Sequence, residues 1–190
     1  KTKEERKMSE RRRLKVYLAG YMSGSCLYDC VKWRVDVRQH YENWKGAGIP
    51  YPIDFLDPFN GPELESIDSE GFKSSVPANA IFDGDLMSVK ECDLVVANVS
   101  TFGHKRPMIG TFCEIGWCTA MQKPFIVIAP DDGAKIIAEN HPFLGKASAV
   151  FGSVKEFLDS KQLNYFYKRI NGANYKIDLE KLKNKEHING

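Results

Sequence analysis

The sequence predicts an α/β fold: a single domain with a central, mostly parallel sheet and helices on both faces. Three observations carry the prediction. The short apolar runs Leu14 to Gly20, Asp93 to Asn98 and Phe125 to Ala129 are nearly continuous, which suits strands covered on both faces better than half-exposed ones. Between them lie stretches whose apolar residues recur at helical spacing, so strands and helices alternate. A chain of 190 residues, 43% hydrophobic and 27% charged, is also long enough for one domain with a sizeable core.

The chain starts on a basic leader. Residues 1–13 hold seven basic side chains against three acidic ones, so of the total charge of +2 the remainder carries −2. Such a leader suits either contact with an anionic surface or a frayed, solvated terminus, and the lack of interleaved aromatics favours the second. Leu14 to Gly20 is the first strand. It runs into Gly20-Tyr21-Met22-Ser23-Gly24-Ser25, where two glycines let backbone approach a ligand closely. The spacing matches neither the G-x-G-x-x-G dinucleotide fingerprint nor a P-loop, so classical NAD or ATP binding loses support. From about Tyr28 to Trp44, the spacing of Val31, Val35, His40, Tyr41 and Trp44 predicts an amphipathic helix, with Trp33 as a packing residue and Arg34 on the surface.

After a helix stop at Gly46 to Gly48, Ile49 to Ile53 contains two prolines and reads as a short or edge strand. Asp54 to Val76 reads as one long acidic loop, a solvated flap whose first residues lie at the sheet edge; there Asp57 and Phe59 are either substrate contacts or plain turn residues. Asn79 to Glu91 reads as a helix with the stripe Phe82, Leu86 and Val89. Asp85 borders that stripe, where a carboxylate is either a surface acid or one that reaches a crevice. The strand Leu94 to Asn98, a loop through Lys105 and Arg106 to Met108, the helix Ile109 to Met121 and the strand Phe125 to Ala129 then form one β-loop-α-β unit. Pro130 to Gly133 is a turn, Ala147 to Phe151 an edge strand, and Val154 to Leu158 a helix behind Ser153. The domain spans 14–160. Residues 161–190 form an extension with a helix over 179–185, its aromatics packing on the domain or on a partner subunit. The architecture is a three-layer sandwich with five strands in the order 2-1-3-4-5, the Rossmann or flavodoxin-like arrangement, whose ligand crevice lies outside the carboxyl ends of the strands.

Several classes are excluded or disfavoured by composition. No apolar run approaches the roughly 18 residues needed to span a bilayer, and no apolar h-region follows the charged start, so a soluble, cytoplasmic protein is expected. Five cysteines without paired C-x-x-C spacing argue against a disulfide framework or a zinc site. His104 and His141 lack a metal-ligand partner at suitable spacing, so no metal is assigned. Within the β-loop-α-β unit Glu114 stands out. Spacing alone leaves it either a first-turn acid that complements the helix dipole or a carboxylate in the crevice.

Asp93-Leu94-Val95-Val96-Ala97, then Gly110-Thr111, Glu114-Ile115-Gly116, Ala120 and Lys123-Pro124, match a D-x-V-V-A strand followed by G-T-x-x-E-I-G-x-A-x-A-x-x-K-P. In this the chain resembles the nucleoside 2-deoxyribosyltransferase family. Lys15 to Gly20 is similar to that family's first strand, and Asp85, eight residues before Asp93, falls where the family keeps an active-site aspartate. The blocks occur in the family's order and the resemblance covers roughly Leu14 to Ser160.

The resemblance implies cleavage of the N-glycosidic bond of a 2′-deoxynucleoside and transfer of the sugar to another base. Glu114 would attack C1′, Asp85 would protonate the departing base, and Tyr17 would hold Glu114 by a hydrogen bond. Gly20, Tyr21, Met22, Ser23, Phe59, Asn98, Met108 and Gly110 would line the substrate site. Neither metal nor organic cofactor is required; the partners would be a deoxynucleoside or deoxynucleotide, a free base and further copies of the chain, without membrane or nucleic acid. One departure stands out. Six residues before the nucleophile the transferases hold the 5′-hydroxyl with an aspartate, and related monophosphate hydrolases carry a serine there; this chain has Met108. The alternatives are therefore a deoxynucleoside 5′-monophosphate N-glycosidase and a non-catalytic nucleotide-binding module.

Overall fold

The computed structural model describes residues 12–22, 27–43, 52–59, 64–68, 71–74, 76–102, 108–129 and 132–171. The strands are β1 (Leu14–Gly20), β2 (Ile53–Leu56), β3 (Leu64–Asp68), β4 (Gly71–Ser74), β5 (Leu94–Asn98), β6 (Phe125–Ile128) and β7 (Ala149–Phe151). The helices are α1 (Leu27–Asn43), α2 (Ala78–Glu91), α3 (Ile109–Ala120), α4 (Asp132–Asn140), α5 (Val154–Asp159) and α6 (Gln162–Ile170). β2, β1, β5, β6 and β7 pair in parallel in that order, which is 2-1-3-4-5 along the chain and agrees with the sequence expectation.

The strand sequences build two cores because successive side chains point to opposite faces. Tyr17, Ala19, Val95, Ala97 and Val127 face one side, where they pack with Val89 of α2, Ile115 and Cys118 of α3 and Ala138 of α4. Leu14, Val16, Leu18, Leu94, Val96, Ile126 and Ile128 face the other, against Trp33, Val37 and Tyr41 of α1, Phe157 of α5, and Leu163 and Tyr167 of α6. The register pairs Gly20 with Asn98 and Asn98 with Ile128, so the carboxyl ends of β1, β5 and β6 share one edge. β1 has β2 on one side and β5 on the other. The strand order reverses there, and this is the switch point at which open α/β sheets hold their ligands.

The opposite edge is tied down by groups that the sequence motif contains. Asp93 accepts from the Lys15 amide at 2.9 Å and pairs with Arg12, and Arg13 pairs with Asp54 at 2.7 Å. Lys123 donates to the carbonyls of Lys90 at 2.6 Å and Cys92 at 2.5 Å, which clamps the end of α2 to the turn before β6. The Lys-Pro pair of the motif is thus a fastener on the side away from the crevice.

Five expectations need correction. The second strand is Ile53–Leu56, beginning beyond Pro50 and Pro52, whose missing N–H groups cannot serve a ladder. The long loop is not structureless: besides β2 it contains β3 and β4, a separate antiparallel pair in which Asp68 stands opposite Gly71. α1 presents Cys30, Trp33, Arg34, Val37 and Tyr41 to the interior, while Val31, Val35 and His40 are only half-buried; Arg34 is not a surface residue but 1% exposed. In α2, Val89 is buried but Phe82 is exposed, its ring edge-on to Trp117 with centroids 5.0 Å apart. A helix, α4, follows residues 130 and 131 where only a turn is expected, because Ala138 alone of its described side chains is fully buried and leaves little periodic signal.

α6 also lies within the stretch read as an extension, with Leu163, Asn164 and Tyr167 buried while Tyr165 is exposed. Asn171, just past its end, donates to the Arg12 carbonyl at 3.0 Å. The helix behind Ser153 forms as expected: the Ser153 hydroxyl accepts from the Glu156 amide at 3.0 Å, an N-cap. Residues 1–11, the Ser23 to Cys26 loop, Lys105 and Arg106, and the helix expected over 179–185 lie outside the described residues. No described helix is long and apolar enough to cross a membrane. Among the described residues Cys92, Cys113 and Cys118 are free thiols, and Cys92 and Cys118 are buried.

Candidate active site

Three elements bring Tyr17, Glu114 and Asp85 together. Tyr17 is the fourth residue of β1 and points to the α2/α3 side of the sheet. Glu114 is in the second turn of α3, beyond reach of the dipole role of a first-turn acid, and it is buried. The Tyr17 hydroxyl donates to Glu114 Oε1 at 2.6 Å, a short bond between two buried groups. Asp85, half-buried on α2, faces the same hydroxyl; its neighbour Asp83 is exposed. A reading in which Glu114 only caps its helix finds no support in this geometry, since the carboxyl is bonded by Tyr17 of β1.

Burial dominates the electrostatics. It pushes the Glu114 carboxyl up from 4.5 to about 8, against the pull of the Tyr17 hydrogen bond and with a further push from the Asp85 charge. Asp85 is also raised by burial, while Tyr17 and the Arg34 guanidinium hold it down. Tyr17 itself is raised far out of the working range by burial and by Glu114, so it remains a hydroxyl. Two carboxyls facing one hydroxyl, each with its charged form disfavoured by burial, titrate as a coupled pair.

Stability is coupled to the same titration. A carboxyl whose folded pKa lies above its unfolded one binds more protons in the native state, so stability falls as pH rises from about 4.5 to about 8. Glu114→Gln removes that dependence. The variant is expected to match wild type near pH 4 and to exceed it by up to a few kcal/mol at pH 8, a gain of several degrees in Tm. Equal melting curves at both pH values would contradict the buried, proton-binding carboxyl.

The other sequence-predicted site residues divide into two groups. Gly20 and Asn98 do lie on the crevice edge, but both are closely engaged by the protein itself. A Cβ at Gly20 would meet Trp33 Cζ2 at 3.0 Å and Arg34 Nη2 at 3.3 Å, so the close approach this glycine permits is that of α1. Asn98 is buried and its Oδ1 accepts from the Ser100 amide at 3.0 Å, which shapes the turn after β5. Tyr21 is buried and Met22 half-buried; Ser23 lies outside the described residues. Phe59 lies with its ring 5.1 Å from the Arg34 guanidinium carbon, and its amide donates to Asp57 Oδ1 at 3.0 Å. Asp57 is occupied by Arg38 at 2.7 Å rather than presented to a ligand. Met108 caps α3 without a side-chain bond and is buried in the core with Tyr17 and Ile115, whereas Gly110 in the first turn is exposed. A separate apolar cleft of about 510 Å³ lies on the outer side of α3, lined in part by Ile109, Phe112, Cys113 and Phe143, and Glu114 does not line it.

Sequence reasoning missed Arg34. Its guanidinium donates to the carbonyls of Gly20 at 3.1 Å, Leu18 at 3.3 Å and Cys30, and stands 3.6 Å from Asp57. The signal was available: Cys30, Trp33, Val37 and Tyr41 form a helical stripe, and Arg34 lies on it.

Comparison with known proteins gives the same frame. None of the curated protein sequences compared with this chain matches it. Among solved structures, a conserved protein from Enterococcus faecalis V583 is 18% identical, with a TM-score of 0.54 over 80% of this chain and 99% of its own, which shows the same fold. A 2-desoxiribosyltransferase from Leishmania mexicana is 20% identical, with a TM-score of 0.48 over 82% of this chain and 97% of its own. A CMP N-glycosidase from Clostridium botulinum is 19% identical, with a TM-score of 0.46 over 79% of this chain and 98% of its own. The family model for nucleoside 2-deoxyribosyltransferase matches residues 16–178, nearly the whole described sheet and its helices, and the chain therefore belongs to that family.

Proposed function

We propose that this chain cleaves the N-glycosidic bond of a 2′-deoxynucleoside and transfers the deoxyribosyl group to another nucleobase. The observation that carries the reading is the buried Tyr17–Glu114 hydrogen bond with Asp85 facing the same hydroxyl, in a chain of this family. The Glu114 carboxylate attacks C1′. The bond from C1′ to the base nitrogen breaks, its electron pair leaves with the base, and the Asp85 proton goes to that base. Tyr17 holds the nucleophilic carboxylate in place and leaves Glu114 one oxygen free for C1′. An acceptor base then attacks C1′ from the vacated side, displaces the Glu114 carboxylate and returns a proton to Asp85. Water in place of the base would give free 2-deoxyribose.

A second reading, hydrolysis of a deoxynucleoside 5′-monophosphate, is favoured by one observation. Met108 is apolar and buried, so it supplies neither an acceptor for a 5′-hydroxyl nor a negative charge to repel a phosphate. The two readings share the acids and differ in the fate and the 5′ end of the sugar. Incubation with a deoxynucleoside or its 5′-monophosphate, each with a second free base, distinguishes them. Exchanged nucleoside is the expected product; free sugar phosphate with no exchange would install the second reading, and unchanged substrates throughout would remove both.

A further inference from the structure

Arg34 is fully buried, and burying a guanidinium is costly unless its donors are taken. All three of its nitrogens donate to backbone carbonyls: Nε to Leu18 at 3.3 Å, Nη2 to Gly20 at 3.1 Å and Nη1 to Cys30. These bonds use the edge of the planar group and leave its faces for aromatic contact. Its central carbon lies over the Trp33 ring, 4.7 Å from the centroid, and over the Phe59 ring at 5.1 Å. The arginine therefore ties the carboxyl end of β1 to the chain that leaves β2.

Asp57 holds that chain by its backbone. Its Oδ1 accepts from the Phe59 amide at 3.0 Å and stands 3.6 Å from Arg34 Nε, while its Oδ2 accepts from Arg38 at 2.7 Å. Phe59 is thus held twice, by its amide through Asp57 and by its ring through Arg34. In the β1 and β2 register Tyr17 stands beside Leu56, and the two chains run on to Gly20 and Phe59. Phe59 remains half-buried and packs on the cluster that contains Tyr17, on the face of the sheet where Tyr17 bonds Glu114.

We propose that Arg34 and Asp57 are a positioning pair for substrate: they fix Phe59 as the aromatic wall of the crevice, against which the planar base of a deoxynucleoside packs. The inference rests on the function proposed above. A base joined to C1′ of a sugar held at Glu114 has a flat π-face to bury, and a half-buried aromatic ring on the same side of the sheet offers the matching surface. Phe59 lies beyond the end of an edge strand, where an aromatic side chain without anchors samples several rotamers. The two contacts hold it before substrate arrives, which lowers the ordering cost of binding.

The test uses the Glu114→Gln chain, which is expected to bind without turning over. Calorimetry measures its Kd for 2′-deoxyadenosine, 2′-deoxyguanosine, 2′-deoxycytidine and thymidine, alone and combined with Phe59→Leu, Asp57→Ala or Arg34→Met. Phe59→Leu is expected to weaken the tightest of these complexes roughly tenfold, a usual worth of one base–aromatic stack. Asp57→Ala and Arg34→Met should each weaken it several-fold, yet add less than about twofold in the Phe59→Leu background, because their effect passes through that ring. A role confined to structure gives the same loss with and without Phe59→Leu, or a lower Tm with Kd unmoved, and either result overturns the proposal. With Glu114 intact the loss should fall on KM; a fall in kcat at unchanged KM overturns it as well. If Arg34→Met does not fold, the Asp57→Ala cycle decides, and Asp57→Asn replaces Asp57→Ala on the same terms. A Glu114→Gln chain that binds none of these nucleosides would end the functional reading and the wall with it, whereas binding that ignores Phe59→Leu would end the wall alone.

Discussion

Glu114→Gln is expected to lose nearly all turnover, by roughly 10⁴-fold or more, while melting at a higher temperature than wild type at pH 8. The amide has the shape of the acid and its oxygen can still accept from Tyr17, so the 2.6 Å contact and the packing of α3 should persist. What is lost is the electron pair that attacks C1′. Because the carboxyl is 6% exposed and held near 8 by burial, replacing it also relieves the cost of ionising it in the folded state. Activity and stability then move in opposite directions, which no misfolding account reproduces. Steady-state rates and melting curves on the same preparation check it, with intact mass for a sugar adduct on wild type alone. A variant retaining near wild-type rates would end the assignment of Glu114 as nucleophile.

The parts of this fold that can be read in the sequence are those whose residues report their environment directly. Leu94 to Asn98 and Phe125 to Ile128 are almost wholly apolar because both faces of the sheet are covered, and the structure buries every residue of both. Glu114, Asp85 and Tyr17 are found through a motif, and their mutual placement could not come from spacing, since Tyr17 lies 97 residues from Glu114 and the bond crosses between a strand and a helix. Arg34 is misplaced by sequence reasoning for the opposite reason. A charged residue on an apolar stripe is ordinarily solvated, and only the three carbonyls and Asp57 make its burial tolerable. The hairpin of β3 and β4 and the helix α4 escape notice because neither adds a strand to the main sheet or carries a long apolar stripe.

Asp85→Asn is expected to cost 10²- to 10⁴-fold in kcat/KM on natural deoxynucleosides, the usual worth of a general acid, and far less on a substrate whose leaving group departs without a proton. The amide would keep the polarity and size of the side chain on α2 but has no acidic proton to give. The pH profile supplies an independent check. In wild type, kcat/KM falls at low pH as the pair of carboxyls takes up its second proton and at high pH as it loses its last one, the two limbs being apparent values of the coupled pair and not of either residue. Removing the Asp85 carboxyl should abolish the high-pH limb. Glu114 is then left to titrate alone, free of the Asp85 charge that raises it, and a single limb remains. A variant that loses activity equally on both kinds of substrate, with both limbs unmoved, would show that Asp85 supports the structure of α2 rather than delivering a proton, and the acid would have to be sought elsewhere on the crevice edge between β1 and β5.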